Sequence, residues 1–238
     1  MDKFYIEIAG LVAQINCAFP FVRRHCHDYI VDDSEICDVV AETNENEMAH
    51  EAQTSGRSFS DGYLEDVCLY RSIAEQIPEF DAFVFHGAAV SIDGEGYVFT
   101  APSGTGKTTH IDLLLKHYPE RVKIINGDKP IIRILEDGVY VCSTPWAGKE
   151  NWQVNTRAKL RGIVLLSRAA DNHIERVEPA RHFGEIIHQV YLPRESSAKE
   201  KTLELINALA ARVNFYSLGC NISPDAAKTS FDELSQKE

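Results

Sequence analysis

Long apolar runs are missing from this sequence. No stretch approaches the roughly 20 consecutive apolar residues that a membrane-spanning helix needs. The first residues also do not pair a basic segment with an apolar one, as a secretory signal peptide does. These absences predict a protein that has no membrane partner and is cytoplasmic.

Closely spaced cysteine pairs are missing as well. The chain has six cysteines, which are Cys17, Cys26, Cys37, Cys68, Cys142 and Cys220. Because none of them forms a C-x-x-C pair, neither a zinc site nor a disulfide framework is indicated, and we expect reduced, largely buried thiols. A metal site at His25, Cys26 and His27 is not favoured, because neighbouring strand residues point to opposite faces and no second cluster has matching spacing.

Positive charge is scarce. The chain has 24 Lys and Arg against 36 Asp and Glu, which gives a formal net charge of −12. Clustered Lys and Arg hold phosphate backbones, so no nucleic-acid partner is expected, and any anionic ligand needs a local basic pocket. With 238 residues, 44% of them hydrophobic, the chain can form one large domain or a domain with a small appendage.

A glycine-rich loop lies between a strand-like and a helix-like segment. Residues 97–117 read YVFTAPSGTGKTTHIDLLLKH. Residues 101–108 match the phosphate-binding pattern G-x-x-x-x-G-K-[ST], known as the P-loop or Walker A motif, at every fixed position except the first, where Ala101 replaces glycine. Apolar residues recur at helical spacing after the loop. We therefore predict a helix that begins near Thr108 and directs its positive N-terminus at a bound anion.

The polar positions of this loop suit a nucleotide-binding site. Gly104 and Gly106 permit turns that bring backbone N–H groups to phosphate oxygens, while Lys107 neutralises the outer phosphates. Thr108 offers its hydroxyl to a magnesium ion. The alternative is a chance match, which the flanking strand and helix disfavour. The predicted nucleotide-binding residues are Ser103, Gly104, Thr105, Gly106, Lys107, Thr108 and Thr109.

The first 80 residues read as a less regular region. Residues 4–9, 12–15 and 29–31 resemble short strands, and the polar stretch 42–62 has the composition of an exposed connection. Apolar spacing predicts a helix over residues 63–80 that ends near Pro78. We accordingly divide the chain into an N-terminal α+β region, residues 1–80, and a P-loop domain, residues 81–238.

The second region predicts an α/β fold with a mixed sheet. Residues 88–92 and 97–100 flank a glycine turn, which indicates an antiparallel hairpin that leads into the P-loop, unlike the parallel βαβ entry of most P-loop proteins. Further strands are predicted at 83–85, 122–125, 131–134, 139–142, 160–166, 174–177 and 215–218. Helices are predicted at 179–191, at 197–213 and after residue 225.

Four motifs, in this order and spacing, resemble the HPr kinase family and the related phosphoenolpyruvate carboxykinase-like nucleotide-binding fold. They are HGAAVSI at 86–92, APSGTGKTT at 101–109, INGDKP at 125–130 and RGIVLL at 161–166. The likeness covers roughly residues 83–220 and implies the fold of the HPr kinase C-terminal domain. HPr kinases transfer phosphate from a nucleotide to a protein serine, and similar small enzymes modify peptide precursors. Carboxykinases instead phosphorylate an enolate.

The resemblance also suggests catalytic residues. Asp128 follows a buried-type strand, where it is expected to coordinate magnesium and to help accept the acceptor's proton; the alternative is a turn-forming role before Pro130. His86 matches a family histidine and is expected to contact the γ-phosphate or orient the acceptor hydroxyl, or else to be a core histidine. Gly127 departs from the family, because HPr kinases usually have two adjacent aspartates here.

The loop after residue 143 supplies further candidates. Lys149 is a candidate for stabilising charge on the transferring phosphoryl group, with Arg157 and Arg161 as weaker options; the alternative is a solvent-exposed lysine. Trp146 and Trp152 either stack on a base or an acceptor, or simply pack.

These features together predict a kinase that uses ATP and Mg²⁺ to phosphorylate a hydroxyl. A serine or threonine of a peptide or protein is the favoured acceptor, and residues 1–80 are a candidate for selecting it. Two alternatives stay open: a small-molecule hydroxyl kinase, and a non-catalytic ATP-binding regulatory module, which the absence of a second aspartate favours. The sequence leaves homo-oligomerisation and the preferred nucleotide open.

Overall fold

The structure is a computed structural model, and it describes residues 2–32, 36–54, 56 and 58–236. Its helices are α1 (Pro20–His25), α2 (Glu45–Thr54), α3 (Asp61–Gln76), α4 (Lys107–His117), α5 (Phe183–Ile187), α6 (Ser196–Arg212) and α7 (Pro224–Leu234). Its strands are β1 (Asp2–Ile8), β2 (Leu11–Cys17), β3 (Ile30–Val31), β4 (Val39–Ala41), β5 (Ala82–Val84), β6 (Ala88–Ile92), β7 (Glu95–Thr100), β8 (Val122–Asn126), β9 (Ile131–Leu135), β10 (Gly138–Cys142), β11 (Arg157–Arg168), β12 (His173–Arg176) and β13 (Asn214–Cys220). The fold is mixed α/β, as predicted.

The N-terminal sheet is built around the β1–β2 hairpin. Its strand order is β3-β1-β2-β4, with β1 antiparallel to β2 and β3, and β4 parallel to β2. Along β2, buried and half-buried residues alternate, which is the period-2 pattern of a strand with one face on a core. Strands β1, β2 and β3 lie where strands were predicted, whereas β4 was not predicted. Helix α3 packs on this sheet, and its N-cap is Ser60, whose hydroxyl accepts from the Tyr63 N–H.

Residues 42–62 are not a plain connection, because they include helix α2. None of the α2 residues is buried, so the apolar spacing that marks other helices is absent. Polar capping starts the helix instead. The Asn44 side chain accepts from the N–H groups of Asn46 and Glu47 at 3.0 and 3.1 Å. A salt bridge then connects α2 to α3: the Arg71 Nη2 lies 2.7 Å from the Glu51 Oε2.

The larger sheet is mixed and leads into the P-loop. In the described part of the chain it has nine strands, in the order β5-β9-β10-β11-β7-β6-β8, with β13 paired to β11 and β12 to β13. Strand β7 is parallel to β11 and antiparallel to β6. Asp93 and Gly94 turn the β6–β7 hairpin with φ values of 51° and 93°, as a tight hairpin turn requires. The predicted antiparallel entry to the loop is confirmed.

The helix predicted over residues 179–191 is confirmed in part, because residues 179–187 form two short helical pieces and residues 188–191 are not helical. A short 3₁₀ turn precedes α5, and α5 ends at Ile187. The chain then pairs with the segment after β5: the His86 N–H donates to the Gln189 carbonyl at 2.6 Å, and the Tyr191 N–H donates to the Val84 carbonyl at 3.1 Å. This long-range pairing satisfies backbone groups that a helix would otherwise use, and it brings residues 188–191 beside His86.

One apolar core extends across the division drawn at residue 80. Ile6, Ile15 and Ile73 of the first region share this core with Ile131 and Trp146 of the second. The division itself stays a prediction. Because the two regions bury apolar surface against each other, α3 is held next to the larger sheet.

The cysteines and the histidines near residue 26 have ordinary structural surroundings. Five of the six cysteines are buried and Cys37 is half-buried, which confirms the predicted burial. His25 pairs with Asp66 and His27 with Asp28, each at 2.9 Å, so the two imidazoles do not converge. Among the described helices, none is long and apolar enough to cross a membrane.

Candidate functional site

The P-loop forms an anion cradle at the start of α4. Gly104 and Gly106 have φ values of 78° and 125°, which glycine adopts without steric cost. Helix α4 begins at Lys107, one residue earlier than expected, and its N-cap Gly106 has no side chain with which to cap the first N–H groups. These donors are therefore left for an anion, which the helix dipole also attracts. Ser103, Thr108 and Thr109 are exposed beside them.

Ala101, the one mismatch in the motif, fits its position. It is not among the described residues that have a positive φ. Its side chain is 4% exposed and belongs to the core that Phe99 and Ile111 form on either side of the loop. Alanine therefore replaces glycine here without backbone strain, and its methyl group adds apolar burial.

Arg168, at the end of β11, holds the carbonyl groups of the loop. Its Nε donates to the Thr105 carbonyl at 2.9 Å, and its Nη2 donates to the Gly104 carbonyl at 2.6 Å. The Thr105 hydroxyl donates to the Pro102 carbonyl at 2.8 Å. These bonds fix the loop before any ligand binds. Sequence reasoning missed Arg168, because the parallel pairing of β7 with β11 brings it to the loop from a distant part of the chain.

Four side chains contact one another in sequence, and we call them the row: Lys107, His86, Asp128 and Lys129. The His86 Nε2 lies 3.3 Å from the Lys107 Nζ and 3.1 Å from the Asp128 Oδ1. The Lys129 Nζ donates to the other carboxylate oxygen, Oδ2, at 2.7 Å. Because the lysine and the carboxylate approach one imidazole nitrogen, that nitrogen either donates to Asp128 or accepts from Lys107. Lys129 was not singled out from the sequence, although it lies inside the INGDKP motif.

The surroundings of this row shift two pKa values. Burial raises the pKa of Asp128, but the hydrogen bond from His86 and the charge of Lys129 outweigh burial, so the pKa lies well below its usual range. Burial lowers the pKa of Lys107, and the negative charges of Asp128 and Glu150 offset only part of this shift. Asp128 is therefore ionised at neutral pH, which is the form that binds a metal.

Asn126, at the end of β8, builds the turn that carries Asp128. Its Oδ1 accepts from the N–H groups of Asp128 and Lys129, at 3.0 and 2.8 Å. Its Nδ2 donates to the Thr144 carbonyl at 2.9 Å, and the whole residue is buried. The turn before Pro130 is thus formed by the Asn126 side chain, and the Asp128 carboxylate is left for the row.

Close packing explains why residue 127 is glycine. A Cβ at Gly127 would lie 2.6 Å from the carbonyl oxygen of Ala147 and 3.1 Å from the Cβ of Trp152. The loop of residues 143–152 therefore packs directly on the turn, and a side chain at position 127 has no room. Glycine is therefore the residue that this contact allows at position 127.

Lys149 is not part of the row, but its neighbour Gly148 packs against Asp128. A Cβ at the adjacent Gly148 would lie 3.0 Å from the Asp128 Cβ, while Lys149 itself is exposed. The two weaker candidates have other partners. Arg161 pairs with Glu95 at 3.5 Å, and the Arg157 guanidinium lies over the Tyr140 ring.

Trp146 packs and connects α3 to the site. It is 7% exposed, its ring stacks on Tyr70 at 4.2 Å, and its Nε1 donates to the Asp66 Oδ2 at 2.9 Å. The Tyr70 hydroxyl in turn donates to the Lys129 carbonyl at 3.1 Å. The N-terminal region therefore supports the turn that holds Asp128. Trp152 is partly buried against the core beneath α4.

Cavities adjoin the P-loop and the row, and two of them bear on the proposed function. A cavity of about 440 Å³ is lined by the loop and by the ends of β11 and β13, including Gly106, Arg168 and Ile222. Another, of about 270 Å³, has His86 and Lys129 in its wall. Each is large enough to receive part of a small ligand.

The oxygen ligands at the site suit magnesium. In the residues that the structure describes, no group of three or more His, Cys, Asp or Glu side chains could hold a metal alone. Mg²⁺ commonly takes one or two carboxylates, keeps several waters and shares the phosphates of its substrate. The ionised Asp128 carboxylate and the exposed Thr108 hydroxyl are the residues that would hold it.

Comparisons with known proteins give a distant likeness in structure. No protein-family model matches the sequence, and no curated protein matches it. Among solved structures, the chain is similar to the Hpr(Ser) kinase/phosphatase from Coxiella burnetii, with 9% identity and a TM-score of 0.40 over 63% of this chain and 87% of that one. At that TM-score the function has to follow from the geometry of the site itself.

Proposed function

We propose that this protein is a kinase that binds ATP with Mg²⁺ at the P-loop and transfers the γ-phosphoryl group to a hydroxyl. The favoured acceptor is a serine or threonine of a peptide or protein. The observation that carries the proposal is the contact of Lys107 with His86, at 3.3 Å, and of His86 with Asp128, at 3.1 Å. A cation, an imidazole and an ionised carboxylate thus adjoin a loop built for phosphate.

Each residue has a distinct part in the proposed reaction. The backbone N–H groups of Gly104 and of residues 106–108, together with the Lys107 ammonium, bind the phosphates, since the Thr105 N–H donates to the Pro102 carbonyl. The acceptor oxygen forms a bond to the γ-phosphorus, the bond from that phosphorus to the β,γ-bridging oxygen breaks, and ADP leaves. Thr108 and Asp128 would hold Mg²⁺, which would supply neutralisation of the phosphate charge.

The proton of the acceptor hydroxyl has two possible destinations. A general base works best when its pKa lies near the working pH. The pKa of Asp128 lies well below its usual range, so this carboxylate suits metal binding and charge stabilisation better than proton abstraction. His86, which contacts both Lys107 and Asp128, orients the acceptor or takes the proton.

The nucleoside is proposed to occupy the cavity of about 440 Å³ on the Arg168 side of the loop. This cavity includes loop residues Gly104 and Thr109 together with Ile222, which is 81% exposed and offers an apolar surface to a base. The γ-phosphate then points towards His86. Lys149, on the exposed loop near Asp128, stays a candidate for contacting the transferring group.

Acceptor-dependent ADP release tests the proposal. Purified protein is incubated with ATP and Mg²⁺, with and without serine peptides or small hydroxyl compounds. ADP release that requires an acceptor supports a kinase. Tight ATP binding without turnover in any mixture supports the second candidate, a non-catalytic ATP-binding regulatory module. That candidate is favoured by Gly127, which leaves Asp128 as the one carboxylate of the motif.

A further inference from the structure

The cavity of about 270 Å³ lies between the N-terminal helix α3 and the segment 188–191, and His86 and Lys129 of the row line it. The rest of its wall is mostly apolar. The apolar residues that line it are Val67, Tyr70, Ala74, Val84, Val190 and Tyr191. The remaining lining residues are Arg71, His188 and Gln189, and among the described residues no Asp or Glu lines the cavity. The cavity therefore favours an apolar group beside the residues that face the γ-phosphate in the proposed reaction.

The walls of this cavity are fixed by hydrogen bonds. On the α3 side, the Tyr70 hydroxyl donates to the Lys129 carbonyl at 3.1 Å. On the opposite side, the Tyr191 N–H donates to the Val84 carbonyl at 3.1 Å and its hydroxyl donates to Glu75 of α3 at 2.5 Å. The cavity is thus formed before a ligand arrives, and binding loses little ordering entropy.

The apolar wall continues beyond the cavity along α3. Val67 and Ala74 lie on the cavity face of the helix, and Tyr63 precedes Val67 by one turn. Tyr63 is 39% exposed and stacks on Phe59, which is 37% exposed. From Tyr63 to Ala74 this apolar strip is about 16 Å long, which matches roughly five residues of extended peptide; Tyr63 and Val67 form its accessible part, and the buried Tyr70 and Ala74 form the cavity end. A strip of this length suits a peptide better than a small molecule.

One residue of the cavity wall has an unpaired buried acceptor. The Oε1 of Gln189, a lining residue of the cavity, is buried and has no hydrogen-bond partner within the described residues. A buried acceptor without a donor is costly, so a ligand donor is expected to satisfy it. A peptide backbone supplies such an N–H group at every residue other than proline.

We infer that α3 and residues 188–191 form the acceptor site, and that the acceptor is an extended peptide whose hydroxyl residue approaches His86 while a neighbouring large apolar side chain fills the cavity. This inference rests on the proposed kinase function. It assigns to the N-terminal region a direct part in choosing the substrate, through Val67 and Tyr70.

Peptide pools test the inference. Nine-residue peptides with a central serine are prepared as pools in which one position carries leucine, alanine or aspartate, and phosphate transfer from ATP is measured by mass spectrometry. We expect leucine at one fixed position to raise kcat/KM about tenfold or more over alanine, because an apolar side chain is buried there. Val67→Asp should abolish this preference. Leu203→Asp, which also puts a charge on a partly exposed apolar site of a helix, is the matched control and should keep it.

The outcomes separate the inference from the proposed function. Transfer to peptides without a positional preference for leucine overturns the inference and leaves the kinase intact, and so does a preference that survives in Val67→Asp. Transfer to small hydroxyl compounds but to no peptide overturns the peptide assignment. Absence of transfer to peptides and small compounds alike overturns the proposed function, and the inference with it. Circular dichroism of Val67→Asp and Val67→Leu checks the fold, and the leucine variant should retain the preference.

Discussion

Asp128 and His86 touch each other, yet their surroundings assign them different chemistry. Asp128 accepts from Lys129 at 2.7 Å and lies 3.1 Å from His86, so its negative charge is strongly stabilised. His86 lies between that carboxylate and the Lys107 ammonium. A stabilised carboxylate binds metal well and protons poorly, whereas an imidazole can accept a proton near neutral pH.

Substitution of the two residues should therefore have unequal effects. Asp128→Asn keeps the shape but removes the charge that would hold magnesium, so transfer should fall by about 10²- to 10³-fold, the usual loss for one group that stabilises transition-state charge, while ATP still binds through the loop and Lys107. His86→Ala should lower transfer less than this if the imidazole only orients the acceptor, and by about 10²- to 10⁴-fold if it takes the proton. Single-turnover transfer rates and nucleotide affinities measure both. If Asp128→Asn keeps near-normal transfer and His86→Ala is inactive, the role given to Asp128 is wrong and His86 is the residue on which transfer depends.

Ala101 allows a test of the loop itself. Its φ is not positive and its methyl group is buried, so Ala101→Gly should change ATP affinity little and lower the free energy of unfolding by at most about 1 kcal/mol. Calorimetric titration and thermal melts measure the two quantities. A large gain in ATP affinity would mean that alanine compromises the natural loop, in favour of a regulatory module.

At the scale of elements, strand β7, the P-loop and α4 form a local unit on which the turn after β8 and the loop 143–152 converge. Gly127 is the point of closest approach, because any Cβ there would lie 2.6 Å from the Ala147 carbonyl oxygen. The turn, the loop and Trp146 are consequently packed as one body with α3.

Adding the second aspartate of HPr kinases should therefore damage this site. Gly127→Asp and Gly127→Ala should each lower the free energy of unfolding by about 1–3 kcal/mol, since both introduce the same Cβ. Gly184→Ala is the control, because a Cβ there meets no atom within 4 Å. Urea denaturation compares the three. A Gly127→Asp protein that is as stable as the parent and transfers phosphate faster would show that packing does not explain this glycine.

Local signals made part of this architecture predictable. The P-loop, the β6–β7 hairpin and most strands follow from turn glycines and apolar alternation over a few residues. Helix α2 was not predicted, because it has no buried face and therefore no apolar periodicity. The extended conformation of residues 188–191 was not predicted, because their pairing with Val84 and His86 is non-local. At the site, Asp128 and His86 were found through motifs, whereas Arg168 is brought to the loop by sheet pairing alone.

At the scale of the whole molecule, the proposed function requires a chain with a net charge of −12 to bind a polyanion. Long-range repulsion opposes ATP, so attraction must come from nearby cations and from the N-terminus of α4. Lys107, Lys129 and Arg168 lie at the loop or in the row beside it. Lys107 is the cation within the motif, and burial lowers its pKa, a cost that a bound phosphate would relieve.

Calorimetric titration of ATP with Mg²⁺ into the parent protein, Lys107→Ala and Lys116→Ala tests this account most directly. Lys116 lies on the same helix and is paired with Asp112 on the surface, so its removal should leave the affinity unchanged. Loss of the Lys107 ammonium should weaken ATP binding by about 10- to 100-fold, because a charged hydrogen-bond partner of the phosphates is removed. Equal affinity in the parent and in Lys107→Ala would contradict a nucleotide site at the P-loop.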